Sequence, residues 1–164
     1  MALDPTAILR LVVPQWQGRG NPVYQIGSRI LAAIAPAATR PAETINAPLT
    51  SADDTSLQQG ILWHEPLLAQ LTAARAVIDK HQPEAIVTLG GDCLVDLVPI
   101  AYLHKRYPED LAVLWIDAHP DIMAPAQFEH AHVLSILKGV GDAEFVSTVD
   151  QPLKSSQILY VGLT

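Results

Sequence analysis

The sequence predicts an α/β protein built on a mainly parallel sheet. Short β-branched runs alternate with longer segments of helical periodicity, which is the pattern of βαβ units. Two of those runs end abruptly in polar clusters, Gly90-Gly-Asp-Cys93 and Asp117-Ala-His-Pro-Asp121. Open parallel sheets bind ligands beyond the carboxyl ends of their strands, where both clusters fall. Nothing in the 164 residues marks an internal boundary, so residues 1–164 are read as one domain.

The first strand is Ile8–Val13, β-branched and stopped by Pro14. A loop rich in Gly, Asn and Pro follows to Pro22. Val23–Ala35 is a helix, because Ile26, Ile30, Leu31 and Ile34 recur at helical spacing before Pro36. Residues 37–56 are polar; Glu43–Leu49 offers a short edge strand, and Asp53-Asp54 reads as a solvated turn. Leu62–Lys80 is the clearest helix, with Leu67, Leu71, Ala74 and Ile78 on one face and Pro66 in its first turn. His64 and His81 read as surface residues at its two ends.

Glu84–Leu89 is a buried strand. Pro99 would break a helix interior, so the next helix starts near Asp96, a candidate cap, with residues 90–95 an ordered loop. Leu111–Ile116 is the strand that delivers Asp117. Pro120 and Pro125 keep the following segment non-helical, Ala131–Lys138 is a helix with Val133, Leu134 and Leu137 inward, and Gln157–Gly162 is a last strand.

Hydrophobic content of 49% against 16% charged residues excludes wholesale disorder. A net charge of -7 argues against nucleic acid as a partner. Cys93 is the single cysteine, so no intrachain disulfide forms, which fits a reducing compartment. No signal peptide and no spanning run of apolar residues is visible; the expectation is a cytoplasmic protein without a membrane partner.

Asp117, His119 and Asp121 stand two residues apart, and continued extended backbone would turn all three to one side. Two carboxylates and an imidazole suit Mn²⁺, and also Zn²⁺ or Fe²⁺; a carboxylate can bridge two ions. The alternative is a polar loop in which Asp117 caps a turn. Gly90-Gly91 permits a tight turn and close backbone approach. Glu129, His130 and His132 open the next helix, with a ligand or proton-shuttle role set against simple surface placement. Cys93 reads as a small buried residue, since no paired base marks it as a nucleophile.

The pairing of Gly90-Gly91-Asp92 with Val113-Leu-Trp-Ile-Asp-Ala-His-Pro-Asp121 resembles the arginase/agmatinase/formiminoglutamase family, the ureohydrolases. His130-Ala-His-Val-Leu-Ser-Ile-Leu137 is similar to that family's His-Gly-x-Pro segment, and Ile158–Gly162 to a following strand. The resemblance implies a three-layer αβα fold of arginase/deacetylase type. It also implies a dinuclear, usually manganese, hydrolase that cleaves C–N bonds in guanidino or formimino compounds through metal-bound hydroxide. By the same resemblance Asp117 bridges the metals, Asp121 and His119 bind one each, and His130 shuttles protons to the leaving amine. The partner implied is a small cationic substrate held by carboxylates.

The sequence departs from that pattern. Cys93 stands where the family has a histidine ligand, and a thiolate favours Zn²⁺ or Fe²⁺ over Mn²⁺. Ala131 and Val133 replace the glycine and proline of the family segment. The downstream Asp-x-Asp motif is absent, so three of six ligand positions are filled and one is changed. One metal ion or none is therefore expected here. The family's sheet has eight strands, with two late strands between those ending at Leu89 and Ile116. The expectation is a fold incomplete at the C-terminus, an N-terminal portion with an exposed apolar edge and little activity of its own. Alternatives are a non-catalytic metal-binding or oligomerising remnant and, further off, a deacetylase-like amidohydrolase. The family's trimer or hexamer is not carried over, and a homo-oligomer stays open.

Overall fold

The computed structural model describes residues 3–46, 48, 50–123 and 127–164. Its elements in chain order are β1 (Ile8–Val13), α1 (Val23–Ile34), β2 (Glu43–Thr44), β3 (Leu57–Gln58), β4 (Ile61–Leu62), α2 (His64–His81), β5 (Ala85–Gly90), α3 (Leu97–Arg106), β6 (Val113–Ile116), α4 (Val133–Leu137), α5 (Ala143–Val146) and β7 (Ile158–Val161). Strands β2, β1 and β5 form one parallel sheet in that order, and β6 and β7 form a second parallel pair. No ladder joins β5 to β6 among the described residues. That interval is where the resemblance puts two further strands.

Alternation along the strands decides the layers. Leu9, Leu11 and Val13 of β1 and Val113 and Trp115 of β6 face one side, where they meet Leu67, Leu71, Ala74 and Ile78 of α2 and Leu97, Val98, Ala101 and Tyr102 of α3. Leu134, Ile136, Leu137 and Phe145 complete this core. The opposite side is covered differently. Leu114, Ile116, Leu159 and Val161 stand exposed on it.

Helix α1 forms where its periodicity predicts, yet its apolar stripe faces solvent: Ile26 is 57% exposed and Ile34 is 72% exposed. Its buried contact is Ser28, whose hydroxyl donates to Leu89 O at 2.8 Å. The small polar face seats on β1 and β5 because the large apolar one has no second surface to enter among the described residues.

Other expectations need local correction. Helix α2 starts at His64, not Leu62, because Leu57-Gln-Gln-Gly-Ile-Leu62 closes as a hairpin. Gln59 and Gly60 both take positive φ there, as a two-residue turn demands. His64 is buried, at 3% exposure, against the expectation of a surface residue. His81 is half-buried, its Nε2 2.7 Å from Glu43 Oε1. Asp96 does precede α3, but its side chain makes no capping bond. The edge strand shrinks to Glu43–Thr44; residues 47 and 49 of the expected segment, and Pro125, lie outside the described residues. Helix α4 is preceded by a 3-10 turn, Glu129–His132.

Candidate metal centre

The loop after β5 and the loop after β6 converge. The loop after β5 also passes close against the loop after β1 at Gly91, where a Cβ would lie 1.7 Å from the Gln15 carbonyl oxygen. Only glycine lets the two backbones pass so closely. Asp92, buried beside it, gathers three donors: Gln15 Nε2 at 2.9 Å, the Leu94 amide at 3.1 Å and the Arg19 amide at 3.2 Å. Burial pushes its carboxyl up, and these three donors, together with the Gly18 amide, oppose that. Asp92 thus ties the loop after β1 to the loop that carries Cys93. Gln15 and Gly18 contribute to this without any sequence signal, since each is an ordinary loop residue until the fold brings it here.

Cys93, Asp117 and Asp121 come together. One ligand atom from each lies within 4.8 Å of the others, and Cys93 Sγ is 3.9 Å from Asp117 Oδ2. Bonds of 2.0–2.3 Å to a shared tetrahedral ion would set such sulfur and oxygen atoms about 3.6 Å apart, so the observed separation fits a common cation. Asp121 Oδ2 is buried with no hydrogen-bond partner among the described residues. A buried carboxylate oxygen left unpaired is costly unless a cation meets it.

The electrostatics point the same way. Burial and the carboxylates of Asp121 and Asp117 push the Cys93 thiol far above its ordinary range. Burial also raises Asp121, with Asp117 adding repulsion and Cys93 opposing through a hydrogen bond. Anionic charge is disfavoured at every member that shifts, and a divalent ion would relieve it.

His119 behaves otherwise. The chain bends after Asp117, where the Asp117 carboxylate accepts the His119 amide at 2.9 Å, and Asp121 takes φ +45°. The extended backbone that would align the three side chains is therefore absent. The His119 imidazole is 78% exposed and lies outside the three-atom cluster, with Nδ1 3.5 Å from Asp117 Oδ1.

His130 is half-buried beside the cluster. Its Nδ1 donates to Gly18 O at 2.8 Å, since a carbonyl can only accept. Burial lowers its pKa, so the ring is neutral at pH 7 and keeps a lone pair on Nε2. His132 points elsewhere, its Nδ1 2.9 Å from buried Glu129 Oε2.

These features define a class: a three-layer αβα protein with a mainly parallel sheet and a candidate metal centre at its strand ends. Residues 28–164 match the model of the arginase family. The chain belongs to the arginase family, a family of binuclear metal enzymes. It is 34% identical over 90 residues to an arginase of Eremothecium gossypii, covering 51% of this chain and 22% of that protein. It is 33% identical over 99 residues to human mitochondrial arginase-2, covering 55% and 27%. Among solved structures, Entamoeba histolytica arginase in complex with L-ornithine superposes with a TM-score of 0.79 at 22% identity. Bacillus subtilis arginase gives 0.70 at 17%. Each match spans 96% of this chain and 57% of the other. The chain thus covers about a quarter of the first relatives and somewhat over half of the solved arginases. No helix among the described residues is long and apolar enough to cross a membrane.

Proposed function

We propose that this chain carries the metal-holding strand ends of a hydrolase acting on C–N bonds of linear amidines, with a guanidino or formimino compound as substrate. The observation that carries this reading is the convergence of Cys93, Asp117 and Asp121, with Asp121 Oδ2 buried and unpartnered. These three residues would hold the cation, Mn²⁺ by family likeness or Zn²⁺ or Fe²⁺ by the softness of a thiolate. The bound ion supplies Lewis acidity and lowers the pKa of water.

The chain's own groups supply the rest. His130, neutral with its proton on Nδ1, offers Nε2 to take up a proton near the cluster and return it to a leaving amine. Asp92 fixes the Cys93 loop against the loop after β1. Exposed His119, with Nδ1 3.5 Å from Asp117 Oδ1, stands at the solvent edge of the cluster. The net charge of -7 favours approach of a cationic substrate.

A second reading is a cation-binding piece without turnover, and it has its own support. The cluster contains three donor residues among the described residues, whereas the family resemblance implies six ligand positions. The purified chain, loaded with Mn²⁺ or Zn²⁺, should be assayed for urea or formamide release from guanidino and formimino compounds, beside acetate release from acetyl-lysine. Amidine hydrolysis abolished by Asp117→Ala supports the first reading. Loss of one bound cation in Asp117→Ala, with no turnover of any amidine, selects the second. Acetate release would sink both.

A further inference from the structure

Helix α1 has a third face besides the one that seats on the sheet through Ser28 and the apolar one in solvent. Gln25 and Arg29, one turn apart, stand on it and line a cavity of about 460 Å³. Asn46 and Thr50, from the segment after β2, line the same cavity, and Val12, Trp16 and Pro48 give it apolar wall. It opens at the carboxyl ends of β1 and β2, the end of a parallel sheet where ligands bind. Its size lies within the usual range of small-molecule sites, about 300–1,000 Å³. Nothing in the proposed reaction uses it.

Arg29 is unlike the other arginines. Arg10 and Arg40 donate to backbone carbonyls, Arg75 meets Asp79 and Asp150, and Arg19 and Arg106 lie over aromatic rings. Arg29 has no such partner among the described residues. No carboxylate lines the cavity either, in a chain whose net charge is -7. A guanidinium carries five donors in a fixed fork, and here none of the plentiful acids meets them.

The hydroxyl of Thr50 adds a second, independent observation. Gln17 is fully buried, and its Oε1 accepts the Trp16 amide at 3.2 Å. A backbone N–H can only donate, so the orientation of the Gln17 side-chain amide is fixed. Gln17 Nε2 therefore donates to Thr50 Oγ1, at 3.0 Å. That bond uses Thr50 as an acceptor and leaves the hydroxyl proton to be donated. The interior network thus sets a donor beside an unpaired cation, in a cavity with no acid.

We propose that this cavity binds a small organic carboxylate. Arg29 would hold both oxygens, Thr50 would donate to one of them, and the apolar body would rest against Val12, Trp16 and Pro48. One guanidinium matches one negative charge, and its parallel N–H groups match two carboxylate oxygens. A phosphate dianion would find a single cation for two charges. The site is separate from the metal centre: Trp16 lines the cavity, while Gln15 beside it reaches Asp92.

The probe is 4-fluorobenzoate, titrated into the purified chain and followed by its fluorine resonance and by calorimetry. Metal is first removed, because an ion at the other centre would also attract a carboxylate. The neutral twin is 4-fluorobenzamide. The acid should bind with a Kd of about 1 mM, as its roughly ten heavy atoms allow. The amide, and inorganic phosphate as competitor, should bind at least about tenfold more weakly. Arg29→Gln should bring the acid down to the level of the amide, and Arg29→Lys, which keeps the charge and loses the fork, should restore part of the difference. Arg29 is exposed, so both variants keep the fold, which circular dichroism checks. Arg19→Gln removes a guanidinium elsewhere and should change nothing. The proposal is overturned by an acid that binds no better than its amide or phosphate, or equally well to Arg29→Gln, or not at all. An equal loss in Arg19→Gln also overturns it, because attraction to any exposed cation then accounts for the binding.

Discussion

Replacing Cys93 by histidine tests the metal centre at its most unusual member. A thiol must lose its proton to become a ligand, and at Cys93 burial and two neighbouring carboxylates hold that proton tightly. Even an ordinary thiol at 9.0 would be about 1.5 units from ionising at pH 7.5. That alone corresponds to about 30-fold in affinity, or ~2 kcal/mol. The shift at Cys93 lies further in the same direction, so this is a lower bound for the metal-free chain. Binding through the thiolate should therefore release a proton, and Zn²⁺ affinity should rise about tenfold per pH unit between pH 6.5 and 8.5. In Cys93→His the imidazole is already neutral above pH 7. Mn²⁺ affinity should rise at least about tenfold at pH 7.5, and the pH slope should flatten. Calorimetry in buffers of different ionisation enthalpy counts the protons directly. A flat profile for the native chain together with unchanged Mn²⁺ affinity in Cys93→His would refute the reasoning, because Cys93 then does not reach the ion.

Two further substitutions probe the scaffold. Burial pushes Asp96 up to about 6, against a hydrogen bond from Thr88 that opposes it. The unfolded chain ionises this group near 3.8, so folded stability falls as pH rises from about 4 to 6, by ~3 kcal/mol at most and about 1–3 after discounting for partial exposure. Asp96→Asn should exceed the native chain in urea-melt stability by that amount at pH 7.5 and match it near pH 4; a gap independent of pH would show another cause. Gly91→Ala drives a Cβ into the Gln15 carbonyl, a backbone atom that cannot rotate away. A loss of about 2–3 kcal/mol or more in the same melts, with weaker cation binding, is expected. A neutral outcome would mean the two loops separate freely.

Much of the site was legible in the sequence because it is written locally. Asp117 and Asp121 sit four residues apart at the end of one strand, and Cys93 follows a glycine pair at the end of another. Strand-end placement on a parallel sheet made their convergence predictable. His119 shows the limit of spacing. Two-residue alternation fixes a direction only while the backbone stays extended, and a single bend at Asp117 turns the imidazole out to solvent. His64 fails for another reason. A helix start is normally a surface, and its burial depends on α5, whose sequence carries no strong signal.

The sequence by itself determined the order of strands and helices, the glycine that lets two loops pass, and the carboxylates at the strand ends. Periodicity, β-branching and turn chemistry act over a few residues, so they can be read from a few residues. The tertiary structure alone decided which faces are covered. It seats α1 by Ser28, leaves Ile26 and Ile34 in solvent, and brings His64 to Asp142 and Glu144. Burial is a property of two surfaces meeting, and an apolar stripe records that a helix could be buried without recording what would cover it.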